Sequence, residues 1–245
     1  MPARDPQSPL TVAVAHNKGG VGKTTTALLL GRFLAARWRV ALADYDETAH
    51  LTALVADLAP EGGDGRTVTR RLWLEDARGG AGGSGASPRA DLRLIDSPPS
   101  RGSRTERALA EADWVLIPAP PERMALRALR QMFETVDEVR ASGANPALRV
   151  LGVQPTMVRR AWAEHVAYLR QLADECAARS MTVFPAVPSR QSYLWLSKAG
   201  QDYRPAADAV EALLRRRATD PPPRPPRAFG GQTPRTPRVV EAARA

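Results

Sequence analysis

Lys18 and Lys23 stand five residues apart in one glycine-rich turn, Asn17-Lys18-Gly19-Gly20-Val21-Gly22-Lys23-Thr24-Thr25. The 35 lysines and arginines of the chain include only three lysines, the third being Lys198. A chain that relies on arginine yet places two lysines here needs a compact ammonium. Lysine enters a small phosphate cradle as a point charge, whereas arginine is a broad planar fork. Gly19, Gly20 and Gly22 let the backbone curl so that successive N–H groups point onto phosphate oxygens. The expected ligands of a nucleoside triphosphate are Lys18, Gly19, Gly20, Val21, Gly22, Lys23, Thr24 and Thr25. Lys23 would neutralise the β- and γ-phosphates, and the Thr24 hydroxyl would coordinate Mg2+.

The elements around the turn suit this chemistry. The apolar run Val12 to Ala15 reads as a buried strand, and a helix pattern follows from Thr24 to about Trp38. The helix N-terminus adds unpaired N–H groups and the positive end of a dipole, both favouring an anion. Strand and helix patterns then alternate. Strands are expected at Val40–Ala43, Leu92–Ile95, Trp114–Ile117, Arg149–Val153 and Thr182–Phe184. Helices are expected at 47–57, 104–112, 122–141, 160–179 and 205–217, with 59–90 weakly structured. Such alternation predicts an α/β fold: a single P-loop NTPase domain with a mostly parallel β-sheet flanked by helices on both faces. Residues 1–10 read as a flexible lead-in, 11–217 as the domain with a glycine-rich loop at 79–85, and 218–245 as a Pro/Arg-rich disordered tail.

In such sheets ligands sit at the carboxyl ends of strands. Asp96 ends one expected strand and would hold Mg2+ in the manner of a Walker B aspartate, alongside Thr24. Asp44 and Asp46 end another. A carboxylate near the γ-phosphate can hold water in line for attack, although an aspartate at the Asp46 position would also suit a helix cap.

The formal charge of +9 favours polyanionic partners, nucleic acid first. Arg159, Arg160, Arg190, Lys198, Arg215 and Arg216 are candidate phosphate contacts for DNA, set against the plainer possibility of a solvated arginine-rich surface. Cys176 is the only cysteine, so there is no internal disulfide and no cysteine set for an iron–sulfur cluster, and its helical pattern marks it as a core residue. No apolar run reaches membrane-span length and no signal-peptide pattern opens the chain, so a cytoplasmic protein is expected.

The turn departs from G-x-x-x-x-G-K-[ST], since Asn17 stands at the first glycine and Lys18 is added at the entrance. That form resembles the deviant Walker A motif of the ParA/MinD group of P-loop ATPases. Leu94-Ile-Asp-Ser-Pro-Pro-Ser100, Val115-Leu-Ile-Pro-Ala-Pro-Pro121, Val150-Leu-Gly-Val-Gln-Pro-Thr-Met157 and Val187-Pro-Ser-Arg190 resemble further segments of the group. The resemblance implies ATP and Mg2+ as cofactors and hydrolysis that is weak until a partner stimulates it. It implies that Lys18 reaches across a homodimer to the partner's nucleotide, that Asp46 orients the attacking water and that Asp44 supports the metal. Glu47-Thr48 stands where the group's D-x-D-P-Q has Pro-Gln.

ParA-type proteins act as switches, and the implied function is plasmid or chromosome partition. An ATP-bound dimer would bind DNA nonspecifically on the nucleoid and a ParB-like or other adaptor would trigger hydrolysis. A positioning ATPase for another cargo and a MinD-like membrane switch are the alternatives. Val239-Val-Glu-Ala-Ala-Arg-Ala245 is short and small in side chains for a membrane-binding helix. Lys18 argues against a metabolic ligase, and the lack of tyrosine after Tyr203 argues against a tyrosine kinase. The Pro/Arg tail suits added DNA affinity, a partner contact or an inert end equally.

Overall fold

The computed structural model describes residues 8–61, 63–75, 89–122, 124–190 and 199–219. The 79–85 loop, Lys198 and 220–245 lie outside the described residues. The strands are β1 (Leu10–Val14), β2 (Val40–Asp44), β3 (Thr67–Thr69), β4 (Leu72–Glu75), β5 (Leu92–Asp96), β6 (Trp114–Ala119) and β7 (Arg149–Pro155). The helices are α1 (Lys23–Leu34), α2 (His50–Leu58), α3 (Ser103–Glu111), α4 (Ala125–Ala141), α5 (Ala163–Ala177) and α6 (Arg204–Thr219), with a 3-10 turn at Ala199–Tyr203.

The seven strands form one sheet in the order β3-β4-β2-β5-β1-β6-β7. Every neighbouring pair is parallel except β3 with β4. The inner strands β1, β2 and β6 are mostly apolar because both faces of the sheet are covered. Val12, Leu42, Leu94 and Leu116 point to one side, where Leu28, Leu30, Leu34, Val55, Ala206 and Val210 meet them. Ala13, Ala43, Ile95, Val115 and Ile117 point to the other, against Leu109, Leu129, Val136 and Leu172. Cys176 is buried in this second layer and burial pushes its thiol up to about 11, as befits a core residue.

Two expectations need correction. The 59–90 segment holds the β3–β4 pair, and β4 extends the sheet beside β2 with Leu72, Trp73 and Leu74 buried. Three apolar residues flanked by Arg70 and Arg71 leave little periodicity to read, and the strand exists because the sheet edge receives it. The strand expected at Thr182–Phe184 is reduced to an isolated bridge between Val153 and Val183. Here the chain crowds β7, for a Cβ on Gly152 would lie 2.7 Å from the Phe184 ring and 2.8 Å from the Thr182 carbonyl oxygen.

Helix starts also shift. Helix α2 begins at His50 because Ala49 takes a left-handed φ of 54°, and α4 begins at Ala125 after Met124 at φ 68°. Strand β1 is central, and its neighbours β5 and β6 lie on opposite sides. The loop after β1 therefore opens at the crevice where the chain reverses direction across the sheet, the usual ligand position in this architecture.

Candidate nucleotide site

The glycine turn joins β1 to α1 at this crevice. Gly20 and Gly22 have φ of 73° and 90°, which an L side chain rarely adopts, and Gly22 is the N-cap of α1. Among the described residues no side chain caps that helix start. An uncapped helix N-terminus of this kind suits an external anion. The buried Thr156 hydroxyl at the end of β7 donates to the Val21 carbonyl at 2.9 Å and pins the turn from the side. The buried His16 accepts the Lys18 N–H on Nδ1 at 3.1 Å. Burial, with Lys23 and Lys18 nearby, lowers the His16 pKa to about 4, so the ring stays neutral and keeps its acceptor.

Lys23 is 6% exposed and its ammonium donates to the Lys18 carbonyl oxygen at 2.9 Å, bridging the turn. Burial lowers its pKa, and the charges of Asp96 and Asp46 offset part of that cost. Three separate segments therefore share one electrostatic site, as the strand-end positions require. Lys18 is partly exposed at the mouth of the turn and pairs with Glu122 after β6.

Asp96 is fully buried, and neither carboxylate oxygen has a hydrogen bond of normal geometry. Burial raises its pKa to about 7; the nearby Thr24 hydroxyl and Lys23 pull it down, and Asp44 and Asp46 push it up. A buried carboxylate without bonded partners is costly and calls for a cation. The residue composition around it fits Mg2+: a hard oxygen donor in Asp96, a hydroxyl in Thr24 and a phosphate cradle alongside.

Asp44 and Asp46 differ in their bonding. Asp44, paired in register with Asp96, accepts the Asp46 N–H at 3.1 Å on one oxygen. Its other oxygen accepts the Thr52 N–H at 2.9 Å and the Thr52 hydroxyl at 2.7 Å. Asp44 thus ties down the first turn of α2, the task considered for Asp46. The Asp46 carboxylate accepts the Thr48 N–H at 3.0 Å, and its backbone carbonyl accepts the Ala49 N–H at 3.1 Å, closing the turn ahead of α2. Asp46, Thr48, Pro99, Ser103 and Arg104 line a cleft of about 370 Å³ beside these loops, and Glu47 pairs with Arg104 at 3.0 Å.

The arginines do not form one patch. Arg159 and Arg160 are exposed just beyond β7, at the same end of the sheet as the glycine turn, and Ser189 beside Arg190 bonds back to Val158. The Arg159 guanidinium stacks 4.4 Å from the half-exposed Trp162 ring, and Arg190 pairs with Asp202. Arg215 and Arg216 lie near the far end of α6, where Arg217 approaches Asp113 ahead of β6, at the opposite edge of the strands. Arg215 is bonded to Glu211 at 2.6 Å.

His16 and Tyr45 belong to the site's framework and carried no motif signal of their own; Thr156 lies in the Val150–Met157 segment, but nothing in the sequence marked its contact with Val21. Each acts through a partner far along the chain or through burial.

A glycine turn between a central parallel strand and an uncapped helix, with a buried lysine and a bare strand-end carboxylate, defines a P-loop nucleotide-binding protein. The CobQ/CobB/MinD/ParA nucleotide-binding domain model matches residues 12–201, and the chain belongs to that family. The chromosome-partitioning ATPase Soj of Thermus thermophilus is 35% identical over 176 residues, spanning 60% of this chain and 68% of that protein. The maintenance of carboxysome distribution protein A of Gloeobacter kilaueensis is 36% identical over 157 residues, spanning 60% of this chain and 65% of that protein. Among solved structures, cobyrinic acid a,c-diamide synthase of Mycobacterium smegmatis with bound ATP analog and magnesium superposes with a TM-score of 0.61. It is 27% identical and covers 85% of this chain and 95% of that one.

Proposed function

We propose that this protein is an ATP-driven partition switch. It would bind ATP and Mg2+, close as a homodimer, hold DNA without sequence preference and release it when an adaptor of the ParB kind stimulates hydrolysis. The observation that carries the ATPase reading is Asp96, a fully buried carboxylate beside the phosphate cradle, near the Thr24 hydroxyl, with no hydrogen bond of normal geometry among the described residues. Similarity to the Soj partition ATPase supports the choice of task.

In this reading Gly19, Gly20, Val21 and Gly22 receive the phosphates on backbone N–H groups, with Thr24 and Thr25 at the helix start. Lys23 leaves the Lys18 carbonyl for the β- and γ-phosphates. Asp96 and Thr24 hold Mg2+, with Asp44 behind them, and the metal supplies neutralisation of the charge that builds on the phosphates. Asp46, with one oxygen free of backbone bonds, accepts a hydrogen bond from the attacking water and sets it in line. Lys18 leaves Glu122 to meet the partner's nucleotide. The P–O bond to the leaving ADP breaks as the bond to water forms.

Arg159, Arg160 and Arg190 on one side, Arg215 and Arg216 near the far end of α6, and Lys198, which lies outside the described residues, are the cations offered to DNA phosphates. Two protomers that combine their patches make binding conditional on dimerisation and hence on ATP. The site of action is then the cytoplasm, on the nucleoid. Among the described residues, no helix is long and apolar enough to cross a membrane. Similarity to a carboxysome distribution protein favours a second reading, the same engine positioning a protein assembly.

The test is DNA binding with and without ATP at two salt concentrations. Affinity that appears with ATP and falls steeply with salt is expected. Binding indifferent to nucleotide or to salt would refute the switch.

A further inference from the structure

Tyr45 lies between the two aspartates, and its surroundings are built rather than incidental. The residue is 5% exposed. Its N–H donates to the Asp96 carbonyl oxygen at 3.0 Å, tying the loop after β2 to the end of β5. Its hydroxyl donates to Glu111 Oε2 at the end of α3 at 2.6 Å and accepts from Arg93 Nη2 at 3.0 Å. Arg93 Nη1 also donates to Glu111 Oε2 at 2.7 Å, and Arg107 Nε donates to Glu111 Oε1 at 2.9 Å. Arg93 pairs in addition with Glu75 on β4. The Arg107 and Arg93 guanidinium carbons stand 5.3 Å and 5.6 Å from the Tyr45 ring centroid.

A hydrophobic residue would fill this place in the core equally well. What tyrosine adds is one hydroxyl, and that hydroxyl is shared by a carboxylate and a guanidinium. Charge-assisted hydrogen bonds of this kind are the strong and directional ones. On either side of Tyr45, Asp44 and Asp46 are joined by the bond from the Asp46 N–H to Asp44. Displacing the ring therefore displaces both carboxylates relative to Asp96.

We propose that Tyr45 is a positioning residue for hydrolysis: its hydroxyl, held by Glu111 and Arg93, fixes the loop that presents Asp44 and Asp46 to the reacting phosphate. Phosphoryl transfer depends chiefly on placement of groups, so a small shift is felt in turnover before it is felt in binding. The proposal rests on the ATPase reading above.

The test compares Tyr45→Phe and Glu111→Gln with the unaltered protein. Phenylalanine keeps the ring and its cation contacts and removes the hydroxyl. Glutamine keeps an oxygen for the tyrosine and weakens the bond to Arg93. Single-turnover ATP hydrolysis should fall roughly tenfold in Tyr45→Phe and less in Glu111→Gln. Affinity for a non-hydrolysable ATP analogue with Mg2+ should stay within about twofold. Amide hydrogen exchange in the nucleotide-free protein should quicken across 44–49 and not across α4 or α5. Unchanged turnover in Tyr45→Phe would overturn the clamp alone. Turnover and affinity falling together, with exchange quickened throughout, would also overturn it, marking Tyr45 as a general core residue. No hydrolysis by the unaltered protein would instead overturn the ATPase reading, and the clamp with it.

Discussion

Replacing Asp96 by asparagine should stabilise the nucleotide-free protein, and only above acidic pH. In the folded chain the Asp96 pKa rises from 3.8 to about 7, first through burial. That rise corresponds to roughly 4 kcal/mol against the ionised folded state. The folded state holds the proton more tightly than the unfolded chain. The contribution is therefore full below 3.8 and is lost as pH climbs through about 7. Between pH 5 and pH 8 the unaltered protein should lose roughly 2–3 kcal/mol through this one group. Asparagine carries no charge, but its buried amide restores a cost of about 1–3 kcal/mol. The net gain at pH 8 is then on the order of 1–3 kcal/mol, worth about 2–4 °C of melting temperature per kcal/mol in a domain of this size. Urea denaturation at pH 5, 6.5 and 8 without nucleotide reads the effect. The two proteins should diverge as pH rises. Parallel pH profiles would show that Asp96 is not held against its charge, and the argument for a cation at that position would go with it.

Lys23→Ala should abolish binding of ATP, because the one buried ammonium in the cradle is lost; calorimetric titration that finds unchanged affinity would remove Lys23 from the phosphates. Lys18→Ala should leave nucleotide affinity nearly intact yet impair ATP-dependent dimerisation or turnover, measured by light scattering and phosphate release. A variant that dimerises and hydrolyses normally would leave Lys18 as the partner of Glu122 and nothing more.

Much of the candidate site is legible in the sequence, because its chemistry lies in contiguous residues. The glycine turn is local, and β1 and β2 announce themselves as largely apolar runs that stop just short of an ionisable residue, while β5 shows Leu92, Leu94 and Ile95 around Arg93 before Asp96. What escaped the sequence is contact between distant segments. Asp44 takes hold of Thr52 because the loop at 45–49 doubles back, which the left-handed Ala49 permits and no periodicity reveals. Thr156 reaches Val21, and Tyr45 reaches Glu111, across 135 and 66 positions of chain. The β3–β4 pair was illegible for another reason: its strands span only three and four residues and take their conformation from the sheet they join. The arginines appeared as one group in the sequence, whereas α6 carries Arg215 and Arg216 away from the end of β7.

The two margins of the sheet have a bearing on how copies of the chain can join. One margin ends in the three-residue β3, whose pairing with β4 slips in register between Thr67 and Thr69. The other, β7, is partly shielded by the bridge from Val183. Short, irregular or covered borders discourage lateral strand addition, the route to runaway fibrils. The dimer proposed above would then join away from these rims, in a union that a two-fold axis closes.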